Sequence, residues 1–255
     1  MARDLKKPST IVIHSMPAYG GAGLGAILPA LGTRACPLPS IWLTATGDFP
    51  ESQRWPEENL ISKLEAQVSF LESQSVGVDL FIGYLANVDQ ALALNDWLSK
   101  HRQRLGTVWI DPISGDNGKA YVSKELIQAW SVMLHHADIL IPNTTEIALL
   151  AEAQGLSREA WIEQYVESGH VIETSASGQD DSHGICLHSA KDCKFIEVVW
   201  EPGRYRGTGD LFASHLIASV GSGWAVEAAI KRSAELVRKT IRNTREAGTS
   251  SLVLP

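Results

Sequence analysis

An aspartate that comes after a glycine, a threonine and a second glycine, and precedes a long apolar run, can act on an anion it does not itself bind. Residues 203–223 read GRYRGTGDLFASHLIASVGSG, with Gly207, Thr208 and Gly209 ahead of Asp210. Glycines in a loop that opens a helix let backbone N–H groups converge, and the helix N-terminus adds a partial positive charge. A carboxylate there repels a phosphate, but it can take the proton of a hydroxyl that attacks the phosphorus. The plainer reading of Asp210 is a first-turn acid favoured by the helix dipole. The same tripeptide occurs earlier as Thr46, Gly47 and Asp48, with Phe49, Pro50 and Glu51 behind it. Proline stops a regular element, so the first copy is expected to be a turn or flexible loop. The second copy carries the anion-hole chemistry, if either does.

Other stretches compete for attention. Residues 20–26, GGAGLGA, contain the spacing Gly21-x-Gly23-x-x-Ala26 of a loose dinucleotide motif. Such a motif should follow its strand directly and be answered by an acid about twenty residues on. Here residues 16–19 intervene, and the next strand region, ACPLPSIWLT, ends without an acid. The plainer role is a glycine-rich loop close to a substrate. PNTTEIALL sets Asn143 three residues before Glu146, a capping-box arrangement that needs no further function. DPISGDNGKAY places Asp111 directly after an apolar run, with Asp116, Asn117 and Gly118 forming a turn signal behind it. His135 and His136 fall on different faces late in a helical pattern, which suits a C-terminal charge complement better than a metal site.

These residues need elements to hold them. TIVIHS, VDLFIGYL, TVWIDP, ADILIPN, HVIETS, GICLHS and KFIEVVW read as strands. Helical patterns lie at 57–73, 88–102, 123–135, 144–153, 157–168, 211–222 and 224–247. Ser157 is placed to cap one of them and Gly169 to end it. The alternation implies an α/β fold with a mainly parallel sheet, and GICLHS with KFIEVVW reads as an antiparallel hairpin at one edge. Ligands bind beyond the carboxyl ends of such strands, which draws attention to Ser15, to 84–87, Asp111, 143–146, Thr174 and Ser175. No repeat, low-complexity tract or long linker divides residues 1–255, so a single domain is expected.

Composition narrows the partners. The chain has 255 residues, 44% hydrophobic and 20% charged, with a net charge of −7. That balance argues against a nucleic-acid binder, and an anionic substrate must be held by a local device against the overall field. Cys36, Cys186 and Cys193 show no metal-type spacing and, being odd in number, no disulfide framework. A reducing cytoplasm fits. The apolar run Ile11-Val12-Ile13 is too short for a signal peptide, and no run approaches membrane-spanning length. The eight tryptophans are scattered, and most are read as packing.

In their order along the chain, SMPAYGGAGLGAILPALG, CPLPSIWLTATGDF, GYLANVDQ, DPISGDNGKAYV, ADILIPNTTEIALL and GRYRGTGDLFASHL resemble the ribokinase-like superfamily, and within it the pyridoxal (vitamin B6) kinases. The resemblance covers about residues 11–240. It implies a three-layer α/β fold and transfer of the ATP γ-phosphate to the 5′-hydroxymethyl group of pyridoxal, pyridoxine or pyridoxamine. By position, Asp210 looks like the catalytic base, with the amides of Gly207, Thr208 and Gly209 as the anion hole. Ser15, Gly20, Thr46 and Tyr84 match the substrate side. Asp111, Asp116, Tyr121, Asn143, Thr174 and Ser175 match the ATP side, with Asp111 and Glu146 organising Mg2+. A monovalent cation such as K+ and a homodimer are further family expectations, and 176–184, ASGQDDSHG, is the lid candidate.

Two departures lie on the substrate side. Thr46 stands where family members usually carry histidine, and Leu24 where they carry asparagine. Threonine does not titrate near neutral pH, and losing an amide can change selectivity. A kinase for a related heterocyclic alcohol such as hydroxymethylpyrimidine is therefore the alternative, and a catalytically weak vitamer-binding protein of the same fold is another.

Overall fold

Strand side chains alternate between two faces, so an apolar run that is buried throughout must be covered on both. Strand β1 (Ser9–Pro17) shows this at the centre of the sheet. Ile11 and Ile13 enter one hydrophobic core while Val12, between them, enters another. In β4 (Val78–Ile82), Leu80 and Ile82 oppose Phe81 in the same way. In β5 (Val108–Ile110), Val108 and Ile110 oppose Trp109. Three layers result from this pleat. The computed structural model describes residues 8–47, 49–178, 182–199, 201–203 and 205–254.

The central sheet joins these strands to β2 (Ala35–Leu43), β3 (Arg54–Pro56), β8 (Ile139–Leu140), β9 (His170–Ser177), β10 (His183–His188) and β11 (Cys193–Glu197) in the order β11-β10-β9-β8-β5-β4-β1-β2-β3. Pairing is parallel from β2 through β1, β4, β5 and β8 to β9. The expected antiparallel hairpin is β10–β11 at one edge, with β10 also antiparallel to β9. The other edge is antiparallel too, a feature the sequence does not announce: β3 pairs with β2 and is wholly exposed. Three residues ending in a proline carry little strand signal, and an edge is where proline is tolerated.

One face of the sheet is covered by α2 (Leu60–Ser73), α3 (Val88–His101), α4 (Lys124–Met133), α5 (Thr144–Gln154) and α6 (Arg158–Val166). The other is covered by α1 (Leu24–Leu31), α7 (Thr208–Val220) and α8 (Val226–Glu246). Ser157 does cap α6, accepting the Ala160 amide at 3.1 Å, but the helix stops at Val166, ahead of Gly169. Helix α1 corrects the sequence reading, which leaves its residues as loop. Gly25 and Pro29 hide it, yet Leu24, Ile27 and Leu31 fall on one stripe and are buried against α7. Helix α7 begins three residues earlier than expected. Gly207 is its N-cap, and Thr208, Gly209 and Asp210 form its first turn rather than a loop before it. Trp97, Trp109, Trp130 and Trp161 pack in the core, while Trp42, Trp55 and Trp224 are exposed. No helix among the described residues is long and apolar enough to cross a membrane.

Candidate active site

Asp210 is nearly buried, and a buried carboxylate needs donors. One comes from 187 positions away in sequence: the Gly23 amide donates to Asp210 Oδ2 at 2.6 Å. Gly23 has φ +58°, and a Cβ there would lie 2.3 Å from Ser15 O. Gly207 has φ +87°, and its Cβ would lie 2.1 Å from Gly21 O. Two glycine turns therefore meet backbone to backbone, an approach only glycine permits.

The second partner of Asp210 is His14, which no sequence pattern singles out. The Ser15 amide donates to His14 Nδ1 at 2.9 Å, so the neutral ring carries its proton on Nε2. Nε2 lies 3.2 Å from Asp210 Oδ1, close but too far out of line for a full hydrogen bond. Burial pushes the Asp210 carboxyl up. The adjacent imidazole and the Gly23 amide outweigh it and hold the group below its ordinary value. The available signal is a histidine closing an apolar run, Ile11-Val12-Ile13-His14, in a strand that continues to Pro17.

The loop that supplies Gly23 also meets two of the residues expected on the substrate side. Ser15 borders Gly23, and Thr46, nearly buried, packs on Gly20 and donates its amide to Tyr19 O at 3.1 Å. Tyr19 and Phe49 meet edge to face above it, and a cavity of about 490 Å³ opens between Tyr19, Gly20, Gly21 and residues 249–253. Tyr84, expected on the same side, does not line that cavity; it is half-buried just past β4, its hydroxyl accepting from Arg54 at 2.9 Å. Leu24, the other departure, points away from that loop's open side. It is fully buried in the α1–α7 core, so its side chain offers a substrate no edge to meet. Asp48, the end of the first Thr-Gly-Asp copy, lies outside the described residues.

On the other side, local rules hold most of the geometry. Asn143 and Glu146 form the capping box of α5: Asn143 Oδ1 accepts the Glu146 amide at 2.9 Å, and the Asn143 amide donates to Glu146 Oε2 at 2.8 Å. Asn143 Nδ2 donates to Gly115 O, so the cap uses the whole side chain. The Ser114 amide reaches Glu146 Oε1 at 3.1 Å, while Ser114 Oγ is buried without a partner. Burial pushes the Glu146 carboxyl up to about 8, even with three backbone amides opposing it. Asp111, just past β5, is raised well above its ordinary value by burial and by the charges of Glu146 and Asp210. Among the described residues neither Asp111 nor Glu146 is paired with a cation.

Thr174 and Ser175 come to the same end of the sheet. Thr174 bridges to Asn143, and Thr144 Oγ1 donates to Ser175 O at 3.0 Å. Ser175 has φ +57°, a left-handed strain of the kind that collects at functional sites. Asp116 sits exposed on the small hairpin of β6 (Gly115–Asp116) and β7 (Lys119–Ala120), where it accepts from Asn117. Tyr121 is exposed over about half its surface, and its phenol is raised by burial and by the charges of Glu146, Asp111 and Asp210. Residues 179–181, within the lid candidate, lie outside the described residues, and its flanks are the ends of β9 and β10.

A comparison with known protein families matches residues 20–254 to the phosphomethylpyrimidine kinase family. The chain belongs to this family. It is a phosphotransferase, as the kinase family it matches requires. The pyridoxine/pyridoxal/pyridoxamine kinase of Bordetella avium is 26% identical over 96% of this chain and 88% of its own length. The pyridoxal kinase of Lactobacillus plantarum superposes with a TM-score of 0.81 at 22% identity, covering 97% of this chain and 93% of that one. The Leishmania donovani pyridoxal kinase in complex with ADP and pyridoxamine gives 0.78 at 20% identity, over 96% and 92%. These structures share the three-layer fold. Asp210 joins two parts of the site: it is bonded by Gly23 of the glycine loop, and its charge acts on Asp111 of the acidic pair.

Proposed function

We propose that the chain transfers the γ-phosphoryl group of ATP to the 5′-hydroxymethyl group of a vitamin B6 vitamer, with Asp210 as general base. The observation that carries this reading is the Asp210 carboxylate, fixed by the Gly23 amide on the same loop that packs on Ser15 and Thr46. Oδ1 is the oxygen left to receive the hydroxyl proton. As the acceptor oxygen bonds to phosphorus, the bond from phosphorus to the β,γ-bridging oxygen breaks and ADP leaves. The amides of Gly207, Thr208 and Gly209 serve as the anion hole, since first-turn amides have no carbonyl one turn back to bond. Ser15, Gly20, Thr46 and Tyr84 orient the vitamer ring.

Asp116, Tyr121, Asn143, Thr174 and Ser175 form the nucleotide side, with Asn143 acting through the cap that holds Glu146. The donor set fits a hard divalent cation: among the described residues, two buried carboxylates have no cationic partner and the buried Ser114 hydroxyl beside them has no hydrogen-bond partner. Asp111 and Glu146 would hold Mg2+, which when bound neutralises phosphate charge. A monovalent cation such as K+, a homodimer, a cytoplasmic setting and one catalytic domain over 1–255 belong to the same reading. The names and ligands of the Bordetella and Leishmania proteins support it.

A second reading is a hydroxymethylpyrimidine kinase. It is favoured by Thr46, which places a small, non-titrating side chain on Gly20, and by the description of the family that matches. Incubation with Mg-ATP and an equimolar mixture of pyridoxal, pyridoxine, pyridoxamine and hydroxymethylpyrimidine, read by mass spectrometry, separates the two. A phosphorylated B6 vitamer supports the lead. Phosphorylated pyrimidine alone transfers the mechanism to the second reading. Vitamer binding with no phosphorylated product would sink both in favour of a binding protein.

A further inference from the structure

The antiparallel edge carries a group of side chains that phosphoryl transfer does not use. In the β10–β11 register His188 lies directly opposite Cys193, and Cys186 opposite Phe195. Directly opposed residues share a sheet face, as do residues two apart, so Cys186, His188 and Cys193 project from one face. One ligand atom from each lies within 4.8 Å of the other two. We propose that Cys186, His188 and Cys193 form a binding site for a zinc-type divalent cation on this edge.

Donor chemistry separates this site from the acidic pair. Two sulfurs and an imidazole nitrogen favour zinc over magnesium, whereas Asp111 and Glu146 offer only oxygen. Tetrahedral zinc with sulfur and nitrogen ligands spaces its donors about 3.3–3.8 Å apart, so side-chain rotations that draw the three together by about 1 Å complete the set. The histidine is already oriented for the task. His188 Nε2 lies 2.9 Å from Glu173 Oε2, and Glu173 is 1% exposed and also bound by Arg158. The carboxylate takes Nε2, so the proposed site would use the Nδ1 lone pair, the arrangement by which carboxylates orient zinc-bound histidines. All three cysteines of the chain are free thiols, and exposed Cys193 gives an entry path. Three protein ligands leave the fourth position to solvent or a small thiol. A filled site would tie β10 to β11, and through Glu173 to Thr144 at the start of α5.

The test uses the full chain, reduced and stripped with a chelator. Co2+ is added as a spectroscopic probe, and Zn2+ is titrated against a chromophoric chelator. One equivalent of Co2+ with sulfur-to-metal charge-transfer absorption and tetrahedral visible bands, displaced by Zn2+, is the expected result. Cobalt held only by carboxylates at Asp111 and Glu146 would lack the sulfur band, and that outcome overturns the proposal. Cys193→Ser, at an exposed position, should remove the sulfur band or weaken Zn2+ binding by roughly 100-fold, and Glu173→Gln should weaken it by roughly 10–100-fold. Unchanged affinity in Cys193→Ser counts against the site. Recovery of a Cys186–Cys193 disulfide in air, with no metal bound under reducing conditions, would also overturn it and assign the pair to redox chemistry instead.

Discussion

The two Thr-Gly-Asp copies begin alike and end in different physical settings. The first comes after β2 and enters a loop, with Thr46 packed on Gly20 and Gly47 facing open space. The second begins α7, with Gly207 as cap, Thr208 and Gly209 as the first residues, and Asp210 held by Gly23 and His14. Yet Thr46 and Asp210 border the same glycine loop, one through Gly20 and the other through Gly23. The tripeptide does not assign a role; the residues behind it do. An apolar helix gives the second copy aligned amides and a buried carboxylate, whereas the first copy has a proline two positions behind its aspartate and no helix at Thr46 and Gly47.

The largest expected contrast is catalytic. Asp210→Asn should lower kcat by roughly 10²–10⁴-fold, while Thr46→Ala should act mainly on KM for the acceptor. Steady-state kinetics on both variants would break the comparison if Thr46→Ala cost as much in kcat. Next comes stability. Gly207→Ala forces a side chain into left-handed backbone against Gly21 O and should cost about 1–3 kcal/mol or more. Gly47→Ala, with no neighbour within 4 Å, should stay within about 0.5 kcal/mol of wild type. Urea unfolding curves measure the pair, and equal losses would mean the first copy is as tightly packed as the second.

A third prediction asks whether its partners, rather than the tripeptide, prepare Asp210. His14→Ala should reduce kcat by roughly tenfold or less, because the imidazole lies 3.2 Å from Asp210 Oδ1 without a full hydrogen bond and acts on the carboxylate mainly through its charge. His14→Gln, which keeps a donor, should recover part of it. Gly83→Ala should mimic the loss, because its Cβ would lie 2.1 Å from His14 Cδ2. Kinetics that ignore His14→Ala would leave Gly23 as the sole support of the base.

The last contrast is in pH. The folded-state pKa of Glu146, about 8, lies above the 4.5 of an unperturbed group. The folded chain therefore keeps a proton that the unfolded chain loses, and this contribution to stability is full below about pH 4.5 and lost as pH rises through 8. Asp111 adds a slope of the same sign. In thermal melts without divalent cation, Glu146→Gln should fall less than wild type between pH 5 and 8. Parallel curves would show that Glu146 is ionised throughout.

Legibility in the sequence tracks the range of the interaction. The capping box of Asn143 and Glu146 spans three positions, the Ser157 cap three, and the β10–β11 hairpin adjacent segments; each is readable from spacing and each is present. Helix α1 is not readable, because Gly25 and Pro29 break the local pattern and packing on α7 overrides it. His14 reads as a polar residue closing the apolar run of a core strand. Only the arrival of α7 beside β1 turns it toward Asp210.

Taken alone, the sequence determined the α/β class, the mainly parallel sheet, the helix caps and the second Thr-Gly-Asp as the copy with a helix behind it. Each rests on periodicity, capping or turn chemistry acting over a few residues. The tertiary structure alone decided that Asp210 meets Gly23 and His14, that Thr46 shares their loop, and that Asp111 and Glu146 feel one another's charge. Those outcomes depend on which strands lie side by side. No spacing rule reaches across the 187 positions between Gly23 and Asp210; the sheet order and the backbone-to-backbone contact of two glycine turns do.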